Sequence, residues 1–196
     1  MEEYGKFRIH YDERGEPVEV EYRGETYDVE AESVAIPLSE VADLKLRDIP
    51  PEISIEPLKS RRGSYIEPIE YGFLEYMDYT VYIGSDGTAI NAYVLFEEED
   101  EERTPPSDKY ADALEDVARS LKEAGALETV KTWVNTDSYA VYFKAPANPE
   151  KTVGEVVEVL KKVIRSLEEA ARLKALGKPY SEKVRETEEH LRRLTN

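Results

Sequence analysis

The stretch VKTWVNTDSYAVYFK, residues 130–144, decides the fold. Val130, Thr132 and Val134 alternate with Lys131 and Trp133, and Tyr139, Val141 and Phe143 alternate with Ala140, Tyr142 and Lys144. A period of two is that of a strand with one buried face. Asn135-Thr136-Asp137-Ser138 has turn chemistry, so the stretch predicts an antiparallel hairpin. A two-residue Thr136-Asp137 turn would set Trp133 opposite Ala140 and Lys131 opposite Tyr142, all on the side away from the apolar row.

The same unit recurs on the N-terminal side. Met77, Tyr79, Val81 and Ile83, then Ile90, Ala92, Val94 and Phe96, predict a second hairpin with Asp86-Gly87 as its turn. The acidic run Glu97 to Glu102 reads as a solvated loop. Ser107 as cap and Gly125 as stop then bound a helix whose stripe is Tyr110, Leu114, Val117, Ala118 and Leu121. On the C-terminal side, Thr152 and Glu155 form a capping box. The long helix it opens carries Val153, Val156, Val157, Leu160, Val163, Ile164 and Leu167, and Gly177 with Pro179 ends it. A last helix from Ser181 has a thin stripe of Val184, Leu191 and Leu194, able to pack in cis or against a second subunit.

Residues 59–177 thus read as a ββαββα body, a four-stranded antiparallel sheet covered on one face by two helices, with residues 178–196 as a tail helix. Residues 1–58 read as a β-meander and a wrapping connector. The meander has three antiparallel strands, with Phe7, Ile9 and Tyr11, then Val18, Val20 and Tyr22, then Tyr27, Val29 and Ala31 on one face. Its turns are Arg14-Gly15-Glu16-Pro17 and Arg23-Gly24. Ser39 caps a short helix to Leu44, and Pro37, Pro50, Pro51, Pro57 and Pro68 make the remainder irregular. The fold class is α+β.

Composition removes several kinds of chemistry. Among 196 residues there is no cysteine, so disulfides, thiolate zinc and cysteine nucleophiles are excluded. The two histidines, His10 and His190, read as surface residues, and no cofactor or metal site is expected. No glycine-rich phosphate loop occurs, since Gly84-Ser85-Asp86-Gly87 is better used as a turn. No apolar run reaches the roughly 20 residues of a membrane span, and the first residues lack a signal-peptide profile. The expectation is a soluble, cytoplasmic chain without a membrane role. The charge-rich, cysteine-free composition suits a thermostable protein, natural or engineered.

Strand parity leaves a second face of the body, with Tyr82, Tyr93, Trp133 and Tyr142 as its rings and Lys131 and Lys144 beside them. Four such rings represent about 600–1,000 Å², against about 300–600 Å² for the largest apolar patch of a typical monomer. Three covers fit. The meander could pack on it, although tyrosine and lysine suit an interior poorly. A protein partner, including a second copy, could supply the cover. Single-stranded nucleic acid could stack on the rings, with Lys59, Arg61 and Arg62 as a basic rim.

Charge ranks these covers. The formal net charge is -17, from 26 basic and 43 acidic residues. Residues 1–58 carry 16 acids and 6 bases, residues 59–146 carry 18 and 9, and residues 147–196 carry 9 and 11. No segment is strongly basic, whereas a nucleic-acid footprint needs clustered Lys and Arg. Fourteen tyrosines against four phenylalanines favour an interaction surface. The expected function is therefore a non-enzymatic binding module whose aromatic face takes a protein partner, possibly a second copy. Single-stranded nucleic acid is the first alternative, and an acidic inhibitor or nucleic-acid mimic of a basic protein the second. Among many carboxylates Asp78 is the one to note, because it projects from a strand onto the aromatic face, and one strand aspartate does not make an enzyme.

Overall fold

Within residues 32–60, Ser33–Pro37 and Ser54–Ser60 are strands and only the stretch between them is a connector, and this changes the sheet. The computed structural model describes residues 1–60, 63–64, 69–71, 74–95, 107–135 and 138–196. The chain begins with β1 (Glu2–Tyr4), β2 (Phe7–Tyr11), β3 (Pro17–Tyr22), β4 (Glu25–Glu30) and β5 (Ser33–Pro37). Then come α1 (Leu38–Val41), a 3-10 turn (Leu46–Asp48), β6 (Ser54–Ser60), β7 (Gly63–Ser64) and β8 (Ile69–Tyr71). After these come β9 (Leu74–Gly84), β10 (Gly87–Leu95), α2 (Ser107–Glu123), β11 (Thr129–Val134), β12 (Ser138–Pro146), α3 (Val153–Ala175) and α4 (Ser181–Arg192).

The expected pair of sheets, a three-stranded meander and a four-stranded antiparallel body, is overturned. Ten strands follow one hydrogen-bonded order, β1-β2-β3-β4-β5-β6-β9-β10-β12-β11, with β7 on β6 and β8 on β9. The sheet is mixed, because β5 and β6 run parallel with Val34 opposite Ile55 and Ile36 opposite Pro57. A parallel pair needs a crossover of a dozen residues or more, and the segment carrying α1 and the 3-10 turn supplies it. Prolines concealed this arrangement. Pro37 merely ends β5, and Pro57 sits inside β6, so neither breaks a strand as an interior proline normally does. α1 also starts at Leu38 after Pro37, without a side-chain cap from Ser39.

The chain divides into two compact units: residues 1–65, 81–88 and 147–156, and residues 66–80, 89–146 and 157–196. In the first, antiparallel ladders join β1 to β5 in sequence. Phe7, Ile9, Val20, Tyr22, Val34 and Ile36 are buried. Arg23-Gly24 turns β3 into β4 with both residues at positive φ. Ala31-Glu32 does the same between Glu30 and Ser33, so Ala31 lies in a turn and not on a strand face. Non-glycine residues in that conformation cost about 1–2 kcal/mol each. The start of α3 is tied to the crossover by Gly154 N–H donating to the Ala42 carbonyl at 2.9 Å and Val153 N–H to that of Leu44 at 2.8 Å. The capping box forms: Thr152 N–H meets Glu155 Oε2 at 3.0 Å and Glu155 N–H meets Thr152 Oγ1 at 3.2 Å.

In the second unit the helical stripes are buried as their spacing predicts, from Tyr110, Leu114, Val117 and Leu121 on α2 to Leu160, Val163, Ile164 and Leu167 on α3. Both helices end in Schellman caps. Ala126 N–H reaches the Leu121 carbonyl past Gly125 (φ +82°), and Lys178 N–H reaches that of Leu173 past Gly177 (φ +71°). α4 packs in cis, with Thr187, Leu191 and Leu194 buried and Thr187 Oγ1 2.7 Å from Ser166 Oγ on α3. Arg192 donates to the Ala124 carbonyl at the end of α2, at 3.0 Å.

Three smaller expectations change. The β9–β10 turn falls on Ser85-Asp86, because Gly87 already belongs to β10. The tyrosine excess is partly core: Tyr22, Tyr79, Tyr110 and Tyr139 are buried. Tyr22 stacks on Phe7 at 4.5 Å under the Arg23 guanidinium, and Tyr139 donates to Glu115. The Tyr79 and Tyr110 phenols interact, and burial pushes both above their ordinary range. His190 is also no surface residue, for its side chain is 13% exposed and burial lowers its pKa. Ile66, Pro68, Phe96, the run Glu97 to Glu102 and the Thr136-Asp137 turn lie outside the described residues.

Candidate functional site: an aromatic sheet face

β11 and β12 pair with Lys131 opposite Tyr142, Trp133 opposite Ala140 and Thr129 opposite Lys144. Directly opposed residues project to one side of a sheet, so Trp133, Lys131, Tyr142 and Lys144 share a face. The intervening residues Val130, Tyr139, Val141 and Phe143 are buried on the other side. β10 is the next strand beyond β12, and there Ala92 and Val94 are buried while Tyr93 is 37% exposed. Three successive strands therefore each present one ring on the face that the helical stripes leave open.

Trp133 is 51% exposed. Its ring meets Tyr142 edge-on, with centroids 6.3 Å apart and planes at 74°. That geometry suits aromatic quadrupoles and holds the indole in place without burying it. Lys131 is exposed and Lys144 half-buried. Tyr82 is half-buried and falls in the first unit, whereas Tyr93, Trp133, Tyr142, Lys131 and Lys144 belong to the second. Asp78 is half-buried on β9. Of the basic rim, Arg61 and Arg62 lie outside the described residues, as does the side chain of Lys59.

Val134, which the alternation sets in the buried row with Val130 and Thr132, is instead 70% exposed and is the largest apolar exposure next to Trp133. Its parity places it on the helix-facing side, at the end of β11 beside the turn. Two adjacent apolar residues on opposite faces of one strand end are thus open to solvent. The usable signal was position, since β11 closes the strand order and, among the described residues, has β12 as its sole neighbour.

Chemically the face offers stacking, apolar contact and two cations. Among the described residues no three His, Asp or Glu side chains gather as a metal-binding group. No helix among them is long and apolar enough to cross a membrane. Comparison of the chain with family models, with curated proteins and with solved structures gives no match.

Proposed function

We propose that this chain is a non-enzymatic binding module whose Tyr93–Trp133–Tyr142 face engages a protein partner. The observation that carries the reading is the 51% exposure of a tryptophan held edge-on by a neighbouring tyrosine. Fixed, exposed Trp and Tyr side chains are the usual energetic centres of protein interfaces, where they contribute large area at little entropy cost. A single-stranded nucleic acid would also stack there, but a net charge of -17 repels a polyanion, and Lys131 and Lys144 can neutralise only a few phosphates. A chain without cysteine gains nothing from an oxidising compartment, which fits a cytoplasmic location.

The test is selection of peptides from a displayed library on the wild-type chain, followed by titration of the dye-labelled peptides by fluorescence anisotropy, with Trp133 emission recorded for the wild type. Trp133→Ala should weaken those peptides by about 30-fold or more, the loss expected of a hot-spot residue. Oligo-dT at low salt should leave the emission of Trp133 unchanged. Peptides indifferent to Trp133→Ala would remove the protein-binding reading. Salt-sensitive quenching by oligo-dT would transfer the face to nucleic acid.

A further inference from the structure

We propose that two copies of this chain pair edge to edge through β11, antiparallel and centred on Thr132, so that the sheet continues from one copy into the next. The pairing names one occupant of the Trp133 surface and rests on that surface being a contact site. It is carried by the backbone of β11 and by Val134, on the opposite side of the strand from Trp133.

β11 closes the strand order, and its described ladder is to β12 alone. Asn135 donates its N–H to the Ser138 carbonyl at 2.9 Å, which marks that pair as hydrogen-bonded. Antiparallel ladders alternate bonded with non-bonded pairs. Stepping back along the observed register, Val134, Thr132 and Val130 occupy the non-bonded positions, so their N–H and C=O groups point away from β12. An edge with three residues' groups turned outward is a template for another strand.

The side chains select the register. Ladder bonds across the two-fold require that outward-pointing residues oppose one another. Centring on Lys131 would set two ammonium groups face to face, which is unfavourable for directly opposed residues. Centring on Trp133 would leave Val130 without a counterpart in the partner's strand. Centring on Thr132 opposes Val130 to the partner's Val134, Lys131 to the partner's Trp133, and the two threonines to each other. The Thr132 pair and both Val130–Val134 pairs are then of the bonded type, each exchanging two N–H···O bonds. The Lys131–Trp133 pairs are of the non-bonded type, whose Cα atoms approach to about 4.5 Å. Each ammonium is thereby brought onto an indole, within the roughly 6 Å over which a cation and a π face attract. Thr-Val-Lys-Thr-Trp-Val is self-complementary in this sense: both exposed apolar side chains, Trp133 and Val134, gain a partner at once.

A six-residue edge buries less than the roughly 1,200–2,000 Å² of a standard stable interface, so the dimer is weak and reversible. Each copy carries a net charge of -17, and their repulsion opposes pairing at low ionic strength. Added salt screens that repulsion, so pairing should tighten as salt rises, opposite to the salt response of a phosphate-binding surface.

Sedimentation equilibrium over a concentration series tests the proposal. The wild type should show a reversible monomer–dimer equilibrium that strengthens from low to moderate salt. Thr132→Pro removes an N–H that points away from β12, so it costs no ladder bond to β12, although it also removes the hydroxyl that bonds the Tyr139 phenol. It should nevertheless weaken dimerisation by at least about tenfold, the scale of one lost ladder contact plus strand distortion. Trp133→Lys should weaken it comparably by opposing two cations. Adding Lys131→Trp to Trp133→Lys recreates the pairing and should recover most of the loss. If circular dichroism shows that Thr132→Pro does not fold, Val134→Lys, at a position 70% exposed, replaces it with the same expected weakening. A wild type that stays monomeric up to about 0.5 mM, well into the range of weak association, overturns the pairing. A dimer that ignores both edge variants overturns it too. In either case Trp133-dependent peptide binding can survive, so failure of the pairing is separable from failure of the binding-module reading.

Discussion

Phe143→Ala should lower the unfolding free energy by about 3–5 kcal/mol, whereas Tyr142→Ala, one residue earlier, should lower it by about 1 kcal/mol or less. Phe143 is 2% exposed and opposes Val130 on the helix-facing side of the hairpin. Removing its ring leaves a cavity in a close-packed interior, and the cost is lost transfer energy plus the void. Tyr142 opposes Lys131 on the open face, where its ring meets Trp133 edge-on. Its removal forfeits an edge-on contact and little burial. Urea denaturation of the two variants measures the contrast. Equal costs would mean that both faces are buried, and the open-face description would then be wrong.

Glu168→Gln should raise stability at pH 8 by about 1–3 kcal/mol and leave it nearly unchanged at pH 5. The Glu168 side chain on α3 is 13% exposed, and burial pushes its pKa up to about 7 from the usual 4.5, against the opposing pull of Arg172. Arg172 Nε lies 3.7 Å from the carboxylate, too far for a hydrogen bond. Between pH 4.5 and 7 the folded chain holds a proton at this site that the unfolded chain has released, so stability falls as pH rises through that interval. Glutamine never pays this cost. His190, whose pKa burial lowers, acts in the opposite sense near the same pH, since protonation favours its unfolded form. The difference between wild type and Glu168→Gln cancels that contribution because both chains carry His190. Denaturation at pH 5, 6, 7 and 8 gives the curve, and a difference independent of pH would show that Glu168 is ionised throughout.

The helices and the β11–β12 hairpin were legible because their signals are local. Alternation, the capping box at Thr152 and Glu155, and glycines at 125 and 177 each specify backbone within a few residues. The large sheet was not, since pairing β5 with β6 depends on a parallel contact across a crossover, and parallel strands carry no turn signature between them. Val34 and Ile36 alternate as a strand should, yet the nearby prolines outweighed two residues of pattern. The Ala31-Glu32 turn was hidden for a different reason. It uses left-handed conformations without the glycine or asparagine that would announce them. At the site, parity sufficed to orient Trp133 and Tyr93, because a period of two leaves no intermediate choice. Burial of Glu168 and exposure of Val134 were illegible, as both depend on where neighbouring elements end.

Since Trp133 is the sole tryptophan, its native fluorescence reports on the aromatic face alone. Acrylamide quenching of the dilute folded chain, compared with the same chain in denaturant, tests the face most directly. A half-exposed indole should quench at a substantial fraction of the denatured rate, with emission already close to that of a solvated tryptophan. Blue-shifted emission protected from acrylamide at every concentration would place the ring in an interior and contradict the binding surface built on it.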